Sequence, residues 1–140
     1  MDSWLEFDGF KSTKPKEFRQ YLDKSNLDTP ENAVNLDTPE GKCWWCPVIY
    51  GGRELVPMDA IMWAEKLVNL GAGEFVISSL DTDGRKEGYD NVLLRELSER
   101  VSVPIIASSG AGNPQHMLEA FTKGKADAAL AASIFHYGEY

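Results

Sequence analysis

The sequence predicts an α/β fold built of parallel βα units. Short apolar runs of buried-strand type occur at 74–79, 104–108 and 126–132, with amphipathic helical periodicity between them. Polar links rich in Gly, Asp and Ser follow each run, so strand, helix, strand, helix, strand is the natural reading. Right-handed crossovers then place every strand's C-terminal end on one side, where such folds bind ligands.

Taken in order, residues 1–42 form an N-terminal segment of uncertain structure, distinct from a βα domain over 43–140. The segment repeats Asn-Leu-Asp-Thr-Pro-Glu at 26–31 and 35–40, too few and too short copies for a solenoid. Thr13 is the expected N-cap of a short helix with Pro15 in its first turn and Phe18, Tyr21 and Leu22 on one face. From Trp44 to Tyr50 the chain is aromatic and β-branched, which predicts a strand that Pro47 should confine to an edge or a bulge. Gly51-Gly52 predicts a turn.

Asp59 to Leu70 reads as a helix burying Ile61, Ala64, Leu67 and Val68, closed by Gly71. After the strand at Glu74–Ser79 and a polar loop at 81–88, a second helix from Asp90 to Val101 should turn Leu93, Leu94 and Leu97 inward. Pro104–Ser108 is the next strand. Asn113 and Pro114 then read as N-cap and first residue of a helix burying Met117, Leu118 and Phe121, which Gly124 ends. Ala126 to Ala132 is expected as a last strand of small residues.

Composition sets the class. At 140 residues, 43% hydrophobic and 26% charged, the chain suits one globular domain. It has no apolar run of about 20 residues and no secretory pattern, so a soluble, cytoplasmic protein without a membrane partner is expected. A net charge of −8 argues against a nucleic-acid partner. Backbone amides can still hold a phosphate without lysine. The two cysteines form Cys43-Trp44-Trp45-Cys46, but strand and turn residues follow rather than a helix. Two thiols in a hairpin is preferred to a redox pair or to a zinc site shared with His116 and His136; no metal or cofactor is expected.

Two clusters carry chemistry. The loop Ser108-Ser109-Gly110-Ala111-Gly112-Asn113 follows a strand and opens a helix, where glycines let backbone approach a phosphate. Gln115 stands where a dinucleotide fingerprint needs its third glycine, and a plain tight turn is the competing reading. Ser133, after the last strand, offers a second set of donors. Asp81 and Asp83, with Gly84 behind them, are either an acid or base past a strand end or loop caps. For His136 a post-strand turn is favoured over catalysis, and for Trp44, Trp45 and Trp63 packing over a ligand platform.

Several long motifs occur together and in order. They are Gly71-Ala72-Gly73-Glu74, Asp81-Thr82-Asp83-Gly84 with Gly88-Tyr89-Asp90, the run 104–112 and the run 126–136, with Gly51-Gly52-Arg53-Glu54 upstream. Residues 48–140 thereby resemble the cyclase of imidazole glycerol phosphate synthase, in its C-terminal half. The resemblance implies the C-terminal half of a (β/α)8 TIM barrel. It implies histidine biosynthesis: a lyase-type cyclase that takes a substrate phosphorylated at both ends plus ammonia and yields imidazole glycerol phosphate and AICAR. Ammonia would come from a glutaminase subunit or domain docked on the opposite face.

By the same resemblance, Gly84, Ser108, Gly110, Ala132 and Ser133 match positions around one substrate phosphate. Asp83 matches an acidic catalytic residue, Ser78 a substrate-contacting hydroxyl, and Glu74 the charged ring where ammonia enters. The family's first four βα units have no counterpart in the matching stretch, nor do one acid/base aspartate and the second phosphate site. Asp37 is the nearest candidate for the other essential aspartate. The chain is therefore expected to be inactive alone and to need an N-terminal half-barrel or self-association. The alternative is a non-catalytic half-barrel that binds phosphate or self-associates.

Overall fold

The computed structural model describes residues 10–13, 34, 36–38, 41–50, 54–56, 58–80 and 82–139. The described residues form two sheets. An antiparallel one has β3 (Gly41–Ile49) at its centre, paired with β1 (Phe10–Thr13), β2 (Leu36–Thr38) and β4 (Glu54–Leu55). The other is parallel, in the order β5 (Phe75–Ser78), β6 (Ile105–Ser108), β7 (Ala128–Ala129). Helices α1 (Ala60–Asn69), α2 (Asn91–Arg100), α3 (Pro114–Thr122) and α4 (Ser133–His136) alternate with the parallel strands. The parallel βα units of a partial half-barrel are thus in place.

Local chemistry sets these boundaries. Asp59, Asp90 and Asn113 cap the three longer helices, their side chains accepting from the amides of Met62, Leu93 and His116. Pro114 takes the first turn of α3, where its missing N–H costs nothing. Gly71, at φ +105°, lets the chain leave α1. Along β5 and β6 burial alternates, sending Phe75, Ile77, Ile105 and Ala107 to one face. That face meets Leu93, Leu94 and Leu97 of α2 and Ile61, Ala64 and Leu67 of α1 in one core. Each fully buried leucine or isoleucine contributes about 1.5–3 kcal/mol. Trp45 joins this core, and its indole donates to Asp90 Oδ2 at 3.1 Å.

Several expectations need correction. Thr13 ends β1 rather than capping a helix, and the rest of the expected helix lies outside the described residues. The Gly51-Gly52 turn and the first hexapeptide repeat also lie outside them. Pro47 sits inside the central strand, opposite Phe10. Its carbonyl accepts from Val56 on the other side at 2.9 Å. A strand residue's N–H and C=O point the same way, so the missing donor faces the β4 side and leaves the β1 ladder intact. Leu118 and Phe121 are exposed rather than inward, and Ala120 is the buried residue of α3. The last strand shrinks to Ala128–Ala129, because the Asp127 carboxylate itself takes the Ile105 amide at 2.8 Å.

Both cysteines lie on β3, and Cys46 is buried. No helix among the described residues is long and apolar enough to cross a membrane.

Candidate functional site

Three loops leave the C-terminal ends of β5, β6 and β7 and enclose an open cleft of about 450 Å³. Its walls are Asp83, Gly84 and Lys86; Ser108 to Ala111; and Leu130 to Ser133.

The first wall turns sharply because the Ser79 carbonyl accepts the amides of Thr82 and Asp83, at 3.2 and 3.0 Å. Gly84 follows in left-handed backbone, φ +71°. Buried Ser79 donates its hydroxyl to Asp90 Oδ2 at 3.1 Å, tying the turn to the cap of α2. The second wall is held against the first. Thr82 Oγ1 lies 3.0 Å from the Ser109 carbonyl, and the Gly88 amide donates to Gly110 O at 2.8 Å. A Cβ on Gly110 would stand 2.1 Å from Gly88 O, and one on Gly112 2.2 Å from Lys86 O. These two glycines are therefore required by close approach of the neighbouring loop. The third wall begins where Leu130 N donates to Ala107 O, and Tyr89 OH donates to Leu130 O at 2.6 Å. Burial raises the Tyr89 pKa, so the phenol stays protonated as this donor.

Among the described residues, the amides of Gly84, Gly110, Ala111 and Ser133 donate to no acceptor. They come from all three walls. Lys86 is the cation of the cleft, and its Nζ pairs with Glu139 at 2.5 Å. The arrangement offers neutral main-chain donors to an anion, with the exposed Asp83 carboxylate beside them.

Six of the residues singled out by sequence, Asp83, Gly84, Ser108, Gly110, Ala132 and Ser133, line this one cleft. Ser78 ends β5, half-buried and in register with Ser108, and is not among the residues that line the cleft. Glu74 is exposed and precedes β5, at the opposite end of the sheet. Asp37 is exposed on β2, opposite Lys42 in the antiparallel sheet and outside the cleft. Asp81 lies outside the described residues. His136 is exposed in α4, its ring edge-on to Tyr137 at 4.9 Å. Trp44 and Trp45 are buried, and Trp63 packs against the core. Sequence reasoning missed the structural roles of Thr82 and Gly88. A threonine and a glycine flanking the acidic loop were the available signals.

The profile of the family described as "Histidine biosynthesis protein" matches residues 13–140. Among curated proteins, the "Imidazole glycerol phosphate synthase subunit HisF" of Methanococcus maripaludis is 51% identical over 121 residues, 86% of this chain and 44% of the relative. Those of Methanosphaera stadtmanae and Methanobrevibacter smithii are 49% and 50% identical over 122 residues, 87% of this chain and 44% of each relative. The chain thus spans less than half the length of the curated relatives it matches.

Proposed function

The chain belongs to the histidine biosynthesis protein family, and we propose that it is one part of the ammonia-dependent cyclase of imidazole glycerol phosphate synthase. The observation that carries this reading is the set of amides, those of Gly84, Gly110, Ala111 and Ser133, that have no acceptor among the described residues and belong to the loops around one cleft. Such a cradle suits one terminal phosphate of a sugar-phosphate substrate. Ser108 and Ala132 line it. Asp83, beside the cradle, is the acid or base acting on the substrate it holds, and Ser78 is a hydroxyl contact farther along the strand. Glu74, at the opposite end of β5, is assigned to the mouth through which a glutaminase partner delivers ammonia.

Ring closure needs proton transfer at more than one position, hence a second positioned group. Asp37 is the candidate, and its place outside the cleft supports a chain that is inactive until a second half-barrel is supplied. The 44% coverage of the relatives supports the same view. No cofactor enters this scheme.

Titration of the labelled protein with inorganic phosphate, followed at each amide by NMR, tests the cradle. Shifts should concentrate at Gly84, Gly110, Ala111 and Ser133, with millimolar or weaker affinity, since a single dianion lacks the contacts that the rest of a substrate would add. A folded protein in which those amides do not move would refute the reading.

A further inference from the structure

We propose that His116 is a positioning residue that holds the glycine loop 109–112 in its anion-receiving shape by accepting the Gly112 amide; the assignment rests on reading the cleft as a phosphate cradle. His116 is the third residue of α3, a position from which side chains reach back toward the chain entering a helix. The usual recipient is the amide of the capping residue. Here His116 Nδ1 reaches one residue further and accepts from Gly112 N at 2.9 Å. A backbone amide can only donate, so Nδ1 carries no hydrogen and the neutral ring is protonated at Nε2. Asn113 Nδ2, 3.5 Å from Nε2, then faces another donor, which leaves Gly112 as the partner that orients the ring.

The ring's other edge faces Gly88. A Cβ on Gly88 would sit 3.6 Å from His116 Cδ2. His116 therefore stands between the two loops, bonded through its nitrogen to 109–112 and facing Gly88 of 82–88 across the space that a Cβ there would fill. Gly112 is meanwhile pressed against the Lys86 backbone. With its amide consumed by His116, Gly112 cannot swing toward the cleft. The free amides of Gly110 and Ala111 are left to face an anion.

A role confined to helix capping would change stability without changing anion affinity in the folded protein, and the test uses that difference. In the uniformly 15N-labelled 140-residue chain, scalar coupling across the hydrogen bond should connect Gly112 N with His116 Nδ1. Sulfate, whose charge is constant near neutrality, is then titrated into wild type, His116→Ala and His116→Asn. Asn places its carbonyl oxygen where Nδ1 stands. His116→Ala should weaken sulfate binding roughly fivefold, and His116→Asn should restore it to within about twofold of wild type. If the alanine variant does not fold, His116→Leu, which keeps an apolar side chain of similar bulk but has no acceptor, takes its place. Absence of the coupling, or equal sulfate affinity in a folded variant without an acceptor, overturns the assignment and leaves the cradle standing. Wild type that binds no sulfate at Gly110 or Ser133 overturns the cradle itself, and this assignment with it.

Discussion

The Gly88 amide donates to the Gly110 carbonyl at 2.8 Å, joining the loop after β5 to the loop after β6. Two walls of the cleft are therefore one unit, and the glycines at their contact serve each other before they serve any ligand. This separates two substitutions that look alike in sequence. Gly110→Ala drives a methyl to 2.1 Å from Gly88 O at φ +113° and should cost about 3 kcal/mol or prevent folding. Gly84→Ala meets nothing within 4 Å at φ +71° and should cost about 1 kcal/mol. Urea denaturation measures both. Equal losses would show that the two loops are not closely packed.

Asp59 is expected to leave a mark on the pH dependence of stability. Its carboxylate accepts Met62 N at 2.9 Å and Val34 N at 2.8 Å, yet burial outweighs these bonds and raises its pKa above 3.8. Between 3.8 and that raised value the folded protein binds more protons than the unfolded chain, so Asp59 makes stability fall as pH rises through the window. The fall should be missing in Asp59→Asn. Asp59→Ala should lose about 1 kcal/mol at neutral pH through the lost cap. Identical pH profiles for wild type and Asp59→Asn would count against a buried, raised carboxyl.

Tyr89→Phe removes the hydroxyl that reaches Leu130 O at 2.6 Å. The expected loss is about 0.5–1.5 kcal/mol, with faster amide exchange around Leu130 to Ser133. A stability loss without faster exchange there would mean that the bond supports the core and not the third wall.

The flank beyond β7 should drive self-association. Leu118 and Phe121 are exposed on α3, the helix that leads into β7, and β7 pairs only with β6 among the described residues. Apolar surface next to a free strand edge favours docking of another chain. Sedimentation should show a concentration-dependent dimer, or larger species, in the micromolar range. Phe121→Glu should shift it toward monomer. A wild-type monomer throughout that range would contradict this.

The helices were legible because their signals are local. Asn113-Pro114 marks a helix start by itself, and the spacing of Leu93, Leu94 and Leu97 marks a buried face. Of the antiparallel sheet only the central strand was legible, as the aromatic and β-branched run from Trp44 to Tyr50. Tolerance of Pro47 depends on which side of β3 its absent N–H faces, and no residue near 47 encodes that. Periodicity placed Leu118 and Phe121 inward, but both are exposed: spacing marks an apolar face and does not say how much of it meets a neighbour. At the cleft, the Gly110 loop and Ser133 were found because each follows a strand directly, whereas Gly84, Ser108 and Ala132 came from the family resemblance. The reason for Gly110 was only half visible: close approach by a phosphate and close approach by Gly88 require the same residue.

Ammonium-dependent turnover tests the cyclase reading most directly. The chain is mixed with the N-terminal half-barrel of the Methanococcus maripaludis relative, and imidazole glycerol phosphate formation is measured with ammonium salt. Neither part alone should turn over, the mixture should, and Asp83→Asn should abolish the activity, as loss of an acid/base group requires. A mixture that forms a stable one-to-one complex yet makes no product, or full turnover with Asp83→Asn, would contradict a role for this chain as the cyclase's C-terminal half.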